Sequence, residues 1–242
     1  MRLPLPVMRH LFLCILCACA SPVGIGAGPS RAAAPAGLHS TTHWDLKPSL
    51  MFDTLCLLNA STGDPYYLSY YQAEYDHFHP LFTPAERDAF LALKRILKDE
   101  AGGIISAQLS LYFSLTEDES LAEMIRTAQD SSRMRAALEK TEYWNPRAWE
   151  SYERARPHLE TALKALQRLQ FETYWEKEAR TRIAKRIDEL RPALEKYNIV
   201  PAIERKLARA LASDGITVYL LQYSEPHGIR ITGTRFLTHA SY

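Results

Sequence analysis

Apolar residues recur at spacings of three and four across most of this chain, and the spacing changes only near its end. Over residues 47–197 the pattern has the period of amphipathic helices. After "LASDG", Ile216, Val218 and Leu220 alternate with polar residues, which is typical of a strand. We therefore predict a mostly helical α+β protein, in which an antiparallel helical bundle is followed by a C-terminal β-hairpin.

The second strand of this hairpin is expected at Ile229 and Ile231, after a turn at "SEPHG". Two strands alone are marginally stable in water, so the ribbon should pack on the helices or begin a larger sheet. The expected organisation is a leader at residues 1–36, a helical domain at 44–213 and the hairpin at 214–242.

The leader has the features of an export signal. Arg2 and Arg9 supply positive charge, residues 11–19 form a short apolar run, and Ala18 and Ala20 fit a cleavage site. A stable membrane span takes roughly 20 apolar residues, so this run is too short to be one. We predict an exported protein that is periplasmic or secreted.

The same leader also resembles a bacterial lipobox. Residues 16–19 read "LCAC", and in this alternative Cys19 is the lipidated first residue of the mature protein. Membrane contact would then occur only through a lipid anchor. Cys56 is the one cysteine outside the leader, so no disulfide forms within the mature chain.

The charge balance excludes one class of partner. Lysine and arginine number 29 against 28 aspartates and glutamates, and no face stands out as basic. Nucleic-acid binding calls for such a face, so no nucleic acid is expected.

Several helix starts are predicted from capping sequences, in which a side-chain oxygen accepts from the first free backbone N–H groups. They are Asp64 with Pro65, Thr83 with Glu86, Thr116 with Glu119, and Asn145 with Pro146. Pro157 and Pro192 are expected to kink or restart their helices, because proline lacks the amide donor.

The first candidate site is "EYDHFH", where Glu74, Asp76, His77 and His79 place metal-ligating groups within six residues. On a helix His77 and His79 would point in nearly opposite directions, and only an extended segment would bring them together. The alternative is a solvated loop or a helix C-terminus, where histidines are favourable.

The second candidate is the tyrosine-rich stretch "PYYLSYYQAEY". Tyrosine combines an apolar ring with a polar hydroxyl, so Tyr67, Tyr70 and Tyr71 are candidate ligand-binding residues for a peptide or a glycan. The alternative is that these rings belong to the hydrophobic core.

Signatures of catalysis are missing from the sequence. Cys56 lies in an apolar helical stretch and is expected to be a buried hydrophobe. His39 and His43 in "HSTTH" have the spacing of a zinc-binding helix but lack the glutamate that activates water. No catalytic residue and no cofactor is assigned to this chain.

The final stretch carries a family resemblance. A helical region followed by "ITVYLLQYSEPHGIRITGTRFL" resembles the segment that precedes the active-site helix in uncharacterised secreted bacterial gluzincins, the peptidase-MA-like zinc metallopeptidases. The resemblance implies a small sheet followed by an H-E-x-x-H helix. No H-E-x-x-H occurs in these residues, so zinc is implied only for a longer parent protein.

Two hypotheses of function follow. In the first, the chain is the non-catalytic N-terminal portion of such a metallopeptidase-like protein, without its active site. In the second, it is an exported helical binding module for a peptide, a glycan or an envelope protein.

Overall fold

The computed structural model describes residues 37–116, 118–225 and 228–241, so the leader and Cys19 lie outside the described residues. It shows a mostly helical chain with a small mixed sheet, which confirms the α+β class. The helices, in chain order, are α1 (Leu50–Ser61), α2 (Pro65–Phe78), α3 (Pro84–Leu93), α4 (Ile105–Phe113), α5 (Leu121–Gln129), α6 (Ser132–Leu138), α7 (Pro146–Arg168), α8 (Phe171–Trp175), α9 (Thr181–Leu194) and α10 (Ile199–Leu207). The strands are β1 (His43–Pro48), β2 (Gly215–Leu221), β3 (Ile229–Arg230) and β4 (Arg235–His239).

Three short segments of other helical geometry continue or join these helices. A 3₁₀ turn at His79–Leu81 follows α2, and π-helical stretches at Lys94–Glu100 and Glu176–Arg180 follow α3 and α8. Gly102, which follows the first π-helical stretch, has a left-handed φ of +69°, a conformation that glycine adopts readily at helix ends.

The sheet has the order β1-β2-β4-β3 and corrects the predicted strand pairing. β2 runs parallel to both β1 and β4, whereas only β3 and β4 are antiparallel neighbours. The C-terminal hairpin is therefore β3–β4, not a pairing of β2 with the strand at Ile229. Placing β2 between two neighbours pairs both of its edges, which a simple hairpin would have left open.

β1 is a strand that the sequence analysis missed, because residues 44–213 were assigned to a helical domain. Trp44 and Leu46 are buried and alternate with Asp45 and Lys47, so the strand has the period of two. The strand pairs with β2, about 170 residues later in the chain. Because the partner strand is so distant in the sequence, the only local sign of β1 is its short alternation of apolar and polar residues.

The central element is α1, in which every residue is buried. A helix that is apolar on all sides belongs inside a protein rather than at its surface. Its hydroxyls bond within the helix, as Thr54 Oγ1 donates to the Leu50 carbonyl at 2.8 Å. α2 and α4 pack on α1, while α7 packs on α3 and α5.

Most predicted helix starts are confirmed. Asp64 accepts from the Tyr66 amide, Asn145 accepts from two amides of α7, and Thr83 and Glu86 form a reciprocal capping box. The start predicted at Thr116 is wrong, because α5 is capped one turn later by Ser120 with Glu123. Both sites match the capping pattern, but only the second directly precedes the apolar run of α5.

Neither helix restarts at its proline, because α7 runs through Pro157 and α9 through Pro192. The chain restarts instead at Gln170, whose φ is +56°. Proline removes one backbone hydrogen bond from a helix. The burial of Tyr152, Leu159 and Leu163 along α7 offsets this loss.

Asp53 joins three parts of the fold. Its side chain is fully buried in α1, and its Oδ2 accepts from Trp175 Nε1 of α8 at 2.7 Å. Its Oδ1 accepts from the amides of Gln222 and Tyr223, at 2.8 and 2.9 Å, just after β2 ends. Burial raises the pKa of Asp53 to about 7, although the three donors oppose the rise.

Asp53→Asn is expected to lower the free energy of unfolding by about 2 kcal/mol or more at about pH 8, where Asp53 is ionised. The asparagine oxygen can serve the two backbone amides, but its NH₂ group then faces the indole N–H of Trp175, donor against donor. In a double-mutant cycle, Trp175→Phe should therefore cost less in the Asp53→Asn background, with a coupling of about 1–3 kcal/mol. Urea unfolding measures each term.

A matched control for this cycle is Trp149→Phe, because Trp149 is buried on α7 against Tyr112 and Tyr152. Its effect should add to that of Asp53→Asn within about 0.5 kcal/mol. Equal effects of Trp175→Phe with and without Asp53 would show that the indole bond does not hold α8.

The raised pKa of Asp53 also predicts a pH dependence of stability. Between about pH 4 and pH 7 the folded protein holds a proton that the unfolded chain has released, so the stabilisation from Asp53 falls as pH rises through this window. The slope should approach about 1.4 kcal/mol per pH unit and vanish above about pH 8. Unfolding free energies of the native protein and Asp53→Asn, compared across the window, isolate this contribution, and a pH-independent difference would contradict it.

Candidate sheet cleft

One candidate site is a cleft of about 500 Å³ over the polar face of the sheet, which we call the sheet cleft. Its floor includes Lys47 of β1, Tyr219 of β2 and Arg235 of β4. The first turn of α1 adjoins the floor, and α8 with residues 118–119 completes the lining. Pockets of about this volume commonly bind small molecules.

The pleat of the strands explains which side chains reach the floor. In β2, Ile216 and Val218 are buried in the core, whereas Thr217 and Tyr219 are half-buried on the other face. β1 and β4 are both in parallel register with β2, so Asp45, Thr217 and Arg235 form one row across the sheet. Residues that are about 190 positions apart in the sequence therefore share one surface.

Lys47 is a cation on this floor whose side chain contacts Asp45 and Tyr219. Its Nζ lies 3.1 Å from Asp45 Oδ2 and 5.2 Å from the centre of the Tyr219 ring. Partial burial lowers the pKa of Lys47, but the bond to Asp45 and the nearby negative charge outweigh this and leave the pKa above its ordinary value. The positive charge of Arg235 acts in the opposite direction, which places the two cations within range of each other.

Arg235 is oriented by the turn between β3 and β4. Its Nε donates to the Thr232 carbonyl at 3.2 Å, and its Nη2 donates to the Thr232 hydroxyl. That hydroxyl also bonds to Ser114 at 3.0 Å, so the turn is tied to the end of α4. Within the described residues the guanidinium has no carboxylate partner.

Carboxylates also line the sheet cleft, from α8 and from residues 118–119. Glu172 of α8 makes no side-chain hydrogen bond or ion pair within residues 37–116, 118–225 and 228–241, and Asp118 accepts only from Thr116, at 3.1 Å. Glu176 is neutralised by Arg180, with two contacts at 2.7 and 2.8 Å. The sheet cleft thus carries the cations Lys47 and Arg235 on its floor and carboxylates on α8 and on residues 118–119, where Glu119 also contributes to the lining.

Apolar side chains line the cleft together with these charges. Met51, Phe52 and Trp175 all contribute to the lining and are buried. Trp175 is fixed by its bond to Asp53, which belongs to the same helix as Met51 and Phe52. Contacts with the core therefore fix the apolar part of the lining.

The structure separates the three candidate tyrosines. Tyr67 and Tyr71 are buried, and their hydroxyls donate to Glu225 Oε1 at 2.5 Å and to the Ser224 carbonyl. Of the three, only Tyr70 is exposed, with 49% of its surface accessible, and it lies beside Tyr66, which is 50% exposed. Tyr67 and Tyr71 therefore hold the segment after β2, and Tyr70 remains available at the surface.

The four candidate metal ligands lie on or just after α2 and do not converge. His77 stacks on Tyr174 with ring centres 5.1 Å apart, His79 stacks on Tyr75, and Asp76 accepts from Gln72. The helical form is the case in which the two histidines point apart. Glu74 joins no such cluster either, since the described residues contain no group of three or more metal-ligating side chains.

His39 has a structural partner that the sequence did not reveal. Its amide and its Nδ1 lie 2.8 and 2.6 Å from the buried carboxylate of Glu204, which also accepts from the Leu211 amide at 2.7 Å. Burial opposes ionisation of Glu204, but these donors prevail and keep its pKa below the ordinary value. The pair ties the start of the described chain to α10.

Sequence reasoning missed Asp53, Glu172 and Arg235. Asp53 carried a usable signal, because it is the one carboxylate in the apolar run of α1. Glu172 and Arg235 carried none, since charged residues on a helix and in a loop-like stretch are ordinary. They become candidate site residues only because the tertiary structure places them around one cavity.

Comparison with protein-family models, with curated proteins and with solved structures found no match to this chain. The resemblance to gluzincins therefore stays a prediction. No helix within the described residues is long and apolar enough to cross a membrane.

Tyr67→Phe is expected to lower the free energy of unfolding by about 1–2 kcal/mol, because it removes the donor to the Glu225 carboxylate. Tyr70→Phe is the matched control, since the exposed hydroxyl of Tyr70 should contribute less than about 0.5 kcal/mol. Thermal or urea unfolding measures both. The assignment of Tyr67 to the core would be wrong if the two variants behaved alike.

Proposed function

We propose that this chain is an exported binding module whose ligand site is the sheet cleft. The observation that carries the proposal is the presence of charges of both signs around one cavity of about 500 Å³. Arg235 and Glu172 lack ionic partners within the described residues although they line the same cavity. Charged groups that are partly removed from water gain from a ligand that satisfies them.

Binding is better supported than catalysis by this chain. The one thiol outside the leader is Cys56, which is buried in α1. Burial raises the pKa of Cys56, and the nearby charges of Asp53 and Glu225 raise it further. A thiol in this state is a poor nucleophile, so Cys56 is assigned to packing.

Export remains part of the proposal and rests on the leader alone, with its positive charges, short apolar run and small residues. A mature chain cut near residue 36 would retain the segment at His39 that bonds to Glu204. The sheet cleft would then face the periplasm or the exterior. The alternative origin, as part of a longer gluzincin-like protein, is compatible with a binding role for this segment.

We also infer that consecutive helices pack in an antiparallel manner. Short connections favour this arrangement, and only three residues separate α1 from α2. Two residues separate α5 from α6.

The test is a thermal-shift comparison of the native protein with Arg235→Gln, with Glu172→Gln and with the control Arg205→Gln, whose side chain is exposed on α10. The probes are alanyl-leucine, cellobiose, succinate and putrescine, which represent peptides, glycans, dicarboxylates and diamines. At least one class should raise the Tm of the native protein and of Arg205→Gln, and raise that of Arg235→Gln or of Glu172→Gln less. The absence of any shift, or a shift that is unchanged in both Arg235→Gln and Glu172→Gln, would refute the cleft as the site.

A further inference from the structure

We propose that the sheet cleft selects a zwitterion, in the form of a short peptide whose carboxylate lies at Arg235 and Lys47 and whose ammonium lies at Glu172 and Asp118. This inference rests on the proposed binding function and specifies its ligand. It follows from the distribution of charge around the cleft, from the apolar lining of the same cavity, and from the size of the cavity.

The floor of the sheet cleft fits a single carboxylate. It holds the cations Lys47 and Arg235, and Asp45 balances one of them, which leaves a surplus of one positive charge. Thr232 occupies only part of the guanidinium, because an arginine has five N–H donors. A guanidinium whose orientation is already fixed pairs well with a carboxylate, since its planar fork loses little freedom on binding.

The carboxylates that line the cleft fit an organic cation rather than a metal ion. Glu172 and Asp118 are half-buried carboxylates, whereas the nearby Glu176 is already paired with Arg180. The described residues offer no group of three or more side chains that could hold a metal. An ammonium group needs no such convergence, because it can donate to separate carboxylates in different directions.

A zwitterion satisfies both sets of charges at once, whereas a ligand with one kind of charge does not. A dicarboxylate would bring negative charge to Glu172, and a diamine would bring positive charge to Arg235. Unpaired charges that lose contact with water are costly, and like charges placed together add to this cost. A neutral glycan would leave both sets of charges without ionic partners.

The apolar lining favours a peptide with an apolar side chain over an unsubstituted one. Met51, Phe52 and Trp175 line the same cavity as the charged groups, and Trp175 is held in place by Asp53. Burial of an apolar side chain against such a surface is favourable in proportion to the area removed from water. We therefore expect alanyl-leucine to bind more tightly than glycyl-glycine.

Isothermal titration calorimetry with the native protein tests the charges of the ligand directly. Alanyl-leucine should bind, and N-acetylation or C-terminal amidation should each weaken binding by about tenfold or more, because each removes one ionic contact. These comparisons alter only the ligand, so they do not depend on the folding of a variant. Equal binding of the free and blocked peptides would overturn the proposal.

Two variants then assign each charge of the peptide to its partner. Glu172→Gln should weaken binding of alanyl-leucine but not of its N-acetyl form, and Arg235→Gln should weaken binding of alanyl-leucine but not of its amide. The control Glu150→Gln alters an exposed glutamate on α7 and should change neither. Losses that are the same for free and blocked peptides would overturn the assignment.

The outcomes also separate this inference from the proposed function. If succinate, putrescine or cellobiose binds in the cleft and alanyl-leucine does not, the zwitterion is refuted while the binding module stands. If none of the probes binds, or binding is unaffected by both Arg235→Gln and Glu172→Gln, both proposals fail.

Discussion

The carboxylate of Asp53 is the contact on which the arrangement of this protein depends. It lies in a helix whose every residue is buried, and it accepts hydrogen bonds from α8 and from the two amides that follow β2. Each of those donors would otherwise be a buried group without a partner, which carries a large penalty. One side chain thus connects the first helix, the middle of the chain and the C-terminal sheet.

The same contact fixes part of the apolar lining of the sheet cleft. Trp175 receives its orientation from Asp53, and Phe52 is the neighbour of Asp53 in α1, so two apolar residues of the lining are fixed from the core side. Arg235 is fixed independently by Thr232, which is tied to Ser114. A site whose side chains are already ordered loses less entropy when a ligand binds. The tertiary contacts therefore preorganise these side chains for binding.

Local features of the sequence were predicted well and long-range ones were not. Asp64, Thr83 and Asn145 cap helices as expected, because a cap involves residues within one turn of each other. The start predicted at Thr116 was wrong, because Thr116 with Glu119 matches the capping pattern as well as Ser120 with Glu123 does, and the pattern alone does not select the cap. Of the predicted ligand residues, Tyr67 and Tyr71 became core, since helical spacing alone does not reveal which face of α2 is covered.

The sequence by itself determined the mostly helical class, the positions of most helix starts and the burial of Cys56, because these depend on periodicity and on neighbours along the chain. Only the tertiary structure decided that β1 joins β2, that β4 lies between β2 and β3, and that Lys47, Glu172 and Arg235 surround one cavity. Strand order depends on which edges and faces remain to be covered after the helices pack. That balance involves residues about 190 positions apart, and no local pattern records it.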